Sequence, residues 1–430
     1  MADDPPFSGP FAPSDADLSR CVRCGLCLQH CPTYTETGLE AESPRGRLYL
    51  IKAIAEEQIE ATPTVIGHLD LCLQCRNCEA VCPSGVPYGR IMEGARAEIL
   101  ANRPNLAWRL RALFLREVIA RPGRMAAFAM LLRLYRASGL RWLAERVPFL
   151  RERVILAPTI SGPTFRARGL LARPQGKARG PQVGPPSAQR VALLIGCIMP
   201  HAYGRVHEAT VRVLARNGFE VVAPPGQACC GALHAHNGDR PTARALARRN
   251  IDAFLDAGVD AVVVNSAGCG SAMKEYGELL ADDPDYAEKA ARFAALVKDV
   301  TELLAELPFE RPSGRAEADV TYQDSCHLAH AQRITSAPRE LLAAIPGLRL
   351  VEMAQPDRCC GSAGIYSLAH REMSLDLLDG KMREIAATGA SVIATTNPGC
   401  MAQIEAGLRR HRLPGRVVHV IELLDEAYRA

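Results

Sequence analysis

The chain has no apolar run long enough to cross a bilayer: its longest, Met125 to Leu132, is eight residues, against the ~20 a spanning helix needs. The first twenty residues are acidic and Pro-rich without a hydrophobic stretch, so no secretory signal is expected. No Gly-x-Gly-x-x-Gly follows a strand-like run, so a dinucleotide fingerprint is missing. No cysteine falls between residues 83 and 190, although the 430-residue chain contains 16. Without an export signal, that many cysteines imply a reducing compartment, where cysteine clusters bind metal more often than they form disulfides. A cytoplasmic protein is expected, or one lying on the cytoplasmic face of the inner membrane. Its 48% hydrophobic and 23% charged residues suit ordinary cores, with length for two or three domains.

Charge is unevenly placed. Residues 101–190 carry seventeen arginines and Lys177 against Glu117, Glu145 and Glu152, a net of +15 that leaves −11 elsewhere in a chain of total +4. From Trp108 to Leu150, Leu, Phe, Trp and Met recur between the arginines, as in Trp108-Arg-Leu-Arg-Ala-Leu-Phe-Leu-Arg116. Such a basic amphipathic pattern either lies on an anionic membrane surface or packs one face on a core with its arginines in solvent. No nucleic-acid recognition motif accompanies the charge, and nucleic acid is not an expected partner.

Eight cysteines form two equal runs. Cys21-x2-Cys24-x2-Cys27-x3-Cys31-Pro32 is followed by Cys72-x2-Cys75-x2-Cys78-x3-Cys82-Pro83. This spacing lets a tight loop present three thiolates to one [4Fe–4S] cluster while the fourth reaches across to a second. Cys21, Cys24, Cys27 and Cys82 are therefore assigned to one cluster, and Cys72, Cys75, Cys78 and Cys31 to the other. Zinc sites and disulfides fit four cysteines in a single run poorly. Pro44 to Ala61, with Leu48, Ile51, Ile54 and Ile59 at helical spacing, separates the runs, so a helical two-cluster ferredoxin module is expected over 1–100.

The remaining eight cysteines repeat. Cys197, Cys229-Cys230-Gly231 and Asn265-Ser-Ala-Gly-Cys269 are matched by Cys326, Cys359-Cys360-Gly361 and Asn397-Pro-Gly-Cys400, with gaps of 32 and 39 in the first half and 33 and 40 in the second. Strand-like runs at 191–196, 219–223 and 261–265 alternate with helical patterns at 204–217 and 240–257, implying βαβ units and mainly parallel sheets. The whole reads as an α+β multidomain chain: the ferredoxin module, a basic amphipathic helical segment (101–160), a Gly/Pro/Arg-rich linker (161–189), and two Cys-Cys-Gly domains (190–310 and 311–430). Sites in such sheets gather at the carboxyl ends of strands, where these cysteines fall. Each quartet could hold a further Fe–S cluster, a zinc, a redox-active thiol pair, or no metal at all. His327 beside Cys326, with Asp324 and His330, and also His234 and His236, are candidate proton carriers, although such histidines are more often satisfied loop residues.

The blocks Cys21-Val-Arg-Cys-Gly-Leu-Cys27, Ser43-Pro-Arg-Gly-Arg-Leu-Tyr-Leu-Ile-Lys52 and His68-Leu-Asp-Leu-Cys-Leu-Gln-Cys-Arg-Asn-Cys-Glu79 resemble the iron–sulfur subunits of bacterial glycolate oxidase (glycolate dehydrogenase), and the resemblance continues through both Cys-Cys-Gly halves. It implies an electron-transfer subunit working beside an FAD-containing dehydrogenase subunit and a second flavoprotein-like subunit. Glycolate would be oxidised to glyoxylate on a partner chain, and electrons would pass through two [4Fe–4S] clusters toward a quinone or another acceptor. Alternatives are the iron–sulfur subunit of a glycerol-3-phosphate or D-lactate dehydrogenase, or a heterodisulfide-reductase-like thiol/disulfide reductase. The full heterodisulfide-reductase motif ends in Cys-x-x-Cys; here Gly-Ser-Ala272 follows Cys269 and Met-Ala-Gln403 follows Cys400. Each half thus lacks a fifth thiolate.

Overall fold

The computed structural model describes residues 7, 9–102, 104–147, 156, 160, 164–165, 171–172 and 189–430. Most of the segment read as a linker lies outside the described residues, as does the end of the basic segment.

The N-terminal module is helical. Ser43 accepts a hydrogen bond from the Gly46 amide and Pro44 occupies the first helical position, so the sequence starts a helix there, Pro44–Ala55. Leu48, Ile51 and Ile54 on its inner face join Leu69, Ile91, Met92 and Ala95 in one core. The helix stops six residues before the expected Ala61 because Glu57 takes a left-handed φ of 58°. Thr62 then caps a second helix, Pro63–Asp70, and a longer one, Tyr88–Asn102, closes the module. The basic segment follows as helices Leu106–Phe114, Pro122–Ala137 and Leu140–Arg146.

Two sheets make up the rest. The first contains β1 (Leu171–Ala172), β2 (Arg190–Leu193), β3 (Glu220–Val222), β4 (Ala261–Val264) and β5 (Val297–Asp299) in the order β1-β3-β2-β4-β5. All its pairings are parallel except β1 with β3, so the linker range also contributes an edge strand. The second contains β6 (Ala318–Tyr322), β7 (Leu348–Leu350), β8 (Val392–Thr395) and β9 (Arg416–His419), all parallel, in the order β7-β6-β8-β9. Apart from β1 the two orders are identical, so the cysteine repeat is a repeat of topology. In both sheets the chain leaves the first strand for one side and returns to its other side, creating a switch point beside β2/β4 and β6/β8.

The halves pack about a pseudo-twofold axis. Helix Gly204–Arg216 of the first half meets Val420–Arg429 of the second, while Val300–Ala305 meets Ser336–Ala343, an exchange of equivalent helices. Arg212 grips Asp425 at 2.8 and 2.9 Å and Arg205 reaches Glu422 at 2.6 Å. Below these pairs one apolar core runs from Val191 and Leu193 to Val418 and Leu424.

Three buried ionisable groups make this part of the fold sensitive to pH. His419 caps the last helix by accepting from the Ile421 amide at 3.1 Å, which requires a neutral ring. Burial pushes its pKa down to about 3 and that of His207 down to about 4. Both unfolded rings titrate near 6.5, so the stability they supply is full above that pH. It drains on acidification toward pH 4 and 3, by about 1.4 kcal/mol per pH unit for each ring. Asp299, capping the equivalent helix of the first half, is pushed up by burial to about 6 and acts in the opposite sense between 3.8 and 6. His419→Asn, which retains a capping acceptor but does not titrate, should remove about 1.4 kcal/mol per pH unit from the decline in stability below pH 6.5. Thermal melts at half-unit pH steps measure this, and an unchanged slope would contradict the assignment.

Candidate metal centres

The two ferredoxin runs fold into matching loops. Arg23 and Gly25 in the first, and Gln74 and Arg76 in the second, all have positive φ (57°, 82°, 53° and 63°), two and four residues after each run's leading cysteine. Alternating hand curls each loop inward and turns its amides toward a common centre. Gly25 takes its φ of 82° without strain, and an added Cβ there would sit 2.8 Å from the Arg45 guanidinium and displace it.

Each loop encloses a cavity. One of about 440 Å³ is lined by Cys21, Cys24, Cys27 and Cys82 (the Cys21 site). One of about 290 Å³ is lined by Cys31, Cys72, Cys75 and Cys78 (the Cys31 site). Pro44, Cys78 and Tyr88 line both, so they adjoin. The Cys21 site is at the surface, with Cys24 exposed, whereas all four thiols of the Cys31 site are buried. Four soft donors around an inward-curled loop fit a [4Fe–4S] cluster.

Burial pushes the Cys27 thiol up to about 11 and drives Cys75 and Cys78 well above the ordinary thiol range, with neighbouring thiols adding to the effect. Thiolates there need nearby positive charge, which iron provides on binding. Arg47 adds more. It is 1% exposed, bonds Glu42 at 2.5 Å, Thr33 Oγ1 at 3.1 Å and the His68 carbonyl at 2.7 Å, and lies 4.0 Å from Cys31 Sγ. Arg96 donates to the carbonyls of Leu69, Asp70 and Cys72 at 2.7–3.0 Å and fixes the entry to the second loop. Ligand spacing points to neither arginine, although Arg47 lies in the Pro-Arg-Gly-Arg block.

In the C-terminal halves, Cys197 and Cys269 follow β2 and β4, and Cys326 and Cys400 follow β6 and β8, at the switch points. The vicinal pairs sit on loops after β3 and β7, ending at Gly231 and Gly361, both with φ of 84°. A Cβ at 361 would meet the Ser374 carbonyl at 2.6 Å, so the Gly of Cys-Cys-Gly is a steric requirement there. Each quartet comes together as a cluster of mutually interacting thiols, Cys197, Cys229, Cys230 and Cys269 (the Cys197 site) and Cys326, Cys359, Cys360 and Cys400 (the Cys326 site). Neighbouring thiols donate to Cys229 and Cys359 and hold both well below the usual thiol range, while their partners Cys230 and Cys360 are pushed up. Among the described residues, no three His, Cys, Asp or Glu side chains are placed to hold a single metal ion.

The histidines separate. His327 Nδ1 is 3.5 Å from Cys326 Sγ, and its ring centre is 5.1 Å from that of His236, which pairs with Glu93 at 2.7 Å. Asp324 is held by Arg339 at 2.7 and 2.9 Å. His330 Nε2 bonds the Asp357 carbonyl and His234 Nε2 the Leu115 carbonyl, while His234 Nδ1 is buried without a partner among the described residues and the ring contributes to holding Cys229 below the usual thiol range.

Residues 17–86 match a family model described as a 4Fe-4S dicluster domain. Residues 191–274 and 320–405 each match one described as a cysteine-rich domain, and 109–157 match the glycolate oxidase iron-sulfur subunit linker region. The chain is 42% identical to the probable glycolate oxidase iron-sulfur subunit of Bacillus subtilis, over 96% of this chain and 94% of that one. It is 35% identical to the glycolate oxidase iron-sulfur subunit of Escherichia coli, over 96% and 95%. Similarity extends, at 28% identity over 96% of this chain and 72% of the relative, to one of the subunits of the CoM/CoB fumarate reductase of Methanothermobacter marburgensis. A crystal structure of a hypothetical protein from Helicobacter pylori has the same fold, with a TM-score of 0.52 at 10% identity over 97% of this chain and 73% of that one. With 96% of its length matched in this way, the chain belongs to the family of glycolate oxidase iron–sulfur subunits, as a [4Fe–4S] electron-transfer component.

Proposed function

We propose that this chain draws single electrons from an FAD-bearing partner subunit, as that partner oxidises glycolate to glyoxylate, and passes them toward a quinone or another acceptor. The carrying observation is the pair of adjoining cysteine-lined cavities, one at the surface and one buried. When bound, the clusters supply one-electron redox chemistry. The chain's own residues determine where electrons enter. Val22, Leu26 and Tyr49 are exposed around the Cys21 site, at 68%, 51% and 54%. An apolar rim about a surface cluster suits a protein partner. In this reading Cys21, Cys24, Cys27 and Cys82 ligate the entry cluster, Cys31, Cys72, Cys75 and Cys78 the second, and each C-terminal quartet a further redox cluster. A second flavoprotein-like subunit completes the complex.

Purification with the native partners, iron analysis and glycolate-dependent dye reduction test this. Activity confined to the complex, with about eight irons per chain from the ferredoxin pair and more from the C-terminal sites, is expected. Turnover of D-lactate or glycerol 3-phosphate without glycolate would transfer the chain to a sister dehydrogenase, and disulfide reduction by the isolated chain would overturn the reading.

No helix among the described residues is long and apolar enough to cross a membrane. The basic helices nevertheless leave apolar side chains in solvent. Leu106, Leu110 and Leu113, spaced to share one helix face, are 70%, 57% and 55% exposed, and Trp142 is 59% exposed beneath Arg146. This pattern supports peripheral contact with an anionic cytoplasmic leaflet. Leu110→Glu with Leu113→Glu should cut co-sedimentation with phosphatidylserine vesicles by about tenfold while leaving iron content unchanged. Equal binding by the variant would remove the membrane from the proposal.

A further inference from the structure

A duplicated domain presents two equivalent sites, but the ferredoxin module treats them unequally. Cys75 of the Cys31 site is buried in one apolar cluster with Leu73, Cys359, Tyr366 and Leu377, and Cys326 packs against it. Tyr366 fastens this contact by donating to the Leu71 carbonyl at 3.0 Å. The Cys197 site has other neighbours. Its cysteines bury with Leu115, Ile119 and Met125 of the basic segment, in a cluster containing no described residue of the ferredoxin module. The first half meets that module through other groups, Gln74 with the His236 carbonyl, Arg76 with Glu275 and His236 with Glu93. Its Cys230 lines a pocket beside Arg76, Glu79 and Glu93 without sharing a buried apolar cluster with a ferredoxin thiol. The two halves also join directly at their cysteine loops. The Ala267 amide donates to the Thr396 carbonyl at 3.2 Å and the Gly268 amide to Asn397 Oδ1 at 3.3 Å, and Asn397 Nδ2 donates to Cys400 Sγ at 3.8 Å.

We propose that the four cysteine sites form a single series, Cys21 site to Cys31 site to Cys326 site to Cys197 site, in which the second half is the ferredoxin pair's neighbour and the first half is reached through it. This rests on the reading that both C-terminal quartets hold redox clusters. Electron-transfer rates fall steeply with separation, so direct packing decides which site follows which. Each transfer oxidises the donor site by one electron and reduces the next by one, and the electrons originate in the 2-hydroxy acid oxidised on the partner. The electrostatic influence of Cys359 on the Cys75 thiol agrees with this contact. The last site lies against the basic helices, which places the exit of the series beside the surface proposed for the membrane. The cysteine motifs are thus alike in sequence and different in role: the second relays and the first delivers.

The test uses the whole complex with Cys360→Ser in one preparation and Cys230→Ser in another. Iron per chain and the electron paramagnetic resonance of the reduced clusters are recorded, together with the rate at which glycolate reduces each site. Both variants should lose the iron of one site. Cys360→Ser should narrow the ferredoxin signals, leaving only the broadening that the ferredoxin pair exerts on itself, and slow glycolate reduction of the Cys197 site by more than an order of magnitude, while dithionite still reduces it. Cys230→Ser should leave the ferredoxin signals unchanged. Narrowing of the ferredoxin signals in Cys230→Ser, or wild-type reduction of the Cys197 site in Cys360→Ser, would overturn the order alone. Wild-type chains with only the iron of the ferredoxin pair would overturn the underlying reading and the series with it. If Cys360→Ser does not fold, pulsed dipolar measurements on the wild type decide: absence of coupling between a ferredoxin signal and the C-terminal signal that survives in Cys230→Ser overturns the proposal.

Discussion

Cys31→Ser should empty the site built by the other run. The Cys31 thiol lines the cavity of Cys72, Cys75 and Cys78, whereas Cys82 lines that of Cys21, Cys24 and Cys27. Either Cys31→Ser or Cys82→Ser should therefore remove about four irons of the ferredoxin pair's eight. Glycolate-dependent dye reduction should fall at least ~100-fold, since even an outer partner of a metal ligand is worth 10–100-fold. Double variants identify the site. Cys31→Ser with Cys72→Ser damages one cluster twice and should lose no more iron than either single change. Cys31→Ser with Cys21→Ser damages both clusters and should lose about eight irons. If each run filled its own site, these two doubles would exchange results.

The proposed crosswise grouping could be read from spacing because ligand spacing is a short-range property: a loop holding three thiolates is specified within seven residues. The duplicated sheets were legible for a related reason. Strand runs such as Ala261–Val264, bounded by turns and followed by cysteine, recur at nearly the same intervals in both halves. The short strands β5 and β9 could be seen only as matched sequence, because three or four residues flowing straight into a capped helix carry no period of their own. The helix expected to reach Ala61 stopped at Ala55, where a left-handed residue with no glycine to announce it ends the pattern. What spacing could not give was any contact between distant segments. Cys75 beside Cys359 and His236 on Glu93 both depend on how modules dock.

Arg47 is the contact of this kind whose loss should be felt most. Burial pulls its pKa down, but the Cys72, Tyr88, Cys31 and Glu42 groups around it hold the guanidinium firmly protonated. In Arg47→Met the side chain still fills space, but Glu42, 6% exposed, loses its cation, and Thr33 Oγ1 and the His68 carbonyl lose their donor. Breaking one side of such a buried pair destabilises a fold by about 3–5 kcal/mol. The module should melt well below the wild type and retain iron only in the Cys21 site. Two further variants separate structure from charge. Arg47→Met with Glu42→Gln leaves no buried ion and should recover much of the thermal stability. It would still lack the cation 4.0 Å from Cys31 Sγ, and a positive charge there favours the more negative, reduced state of whatever the thiolates hold. The cluster in that double variant should therefore have a lower reduction potential than the wild type, measured by redox titration of its paramagnetic signal. Arg47→Lys keeps the charge but cannot span Glu42, Thr33 and the His68 carbonyl with one ammonium. It should lose stability while nearly preserving the potential. A wild-type potential in the double variant would make Arg47 a structural strut alone.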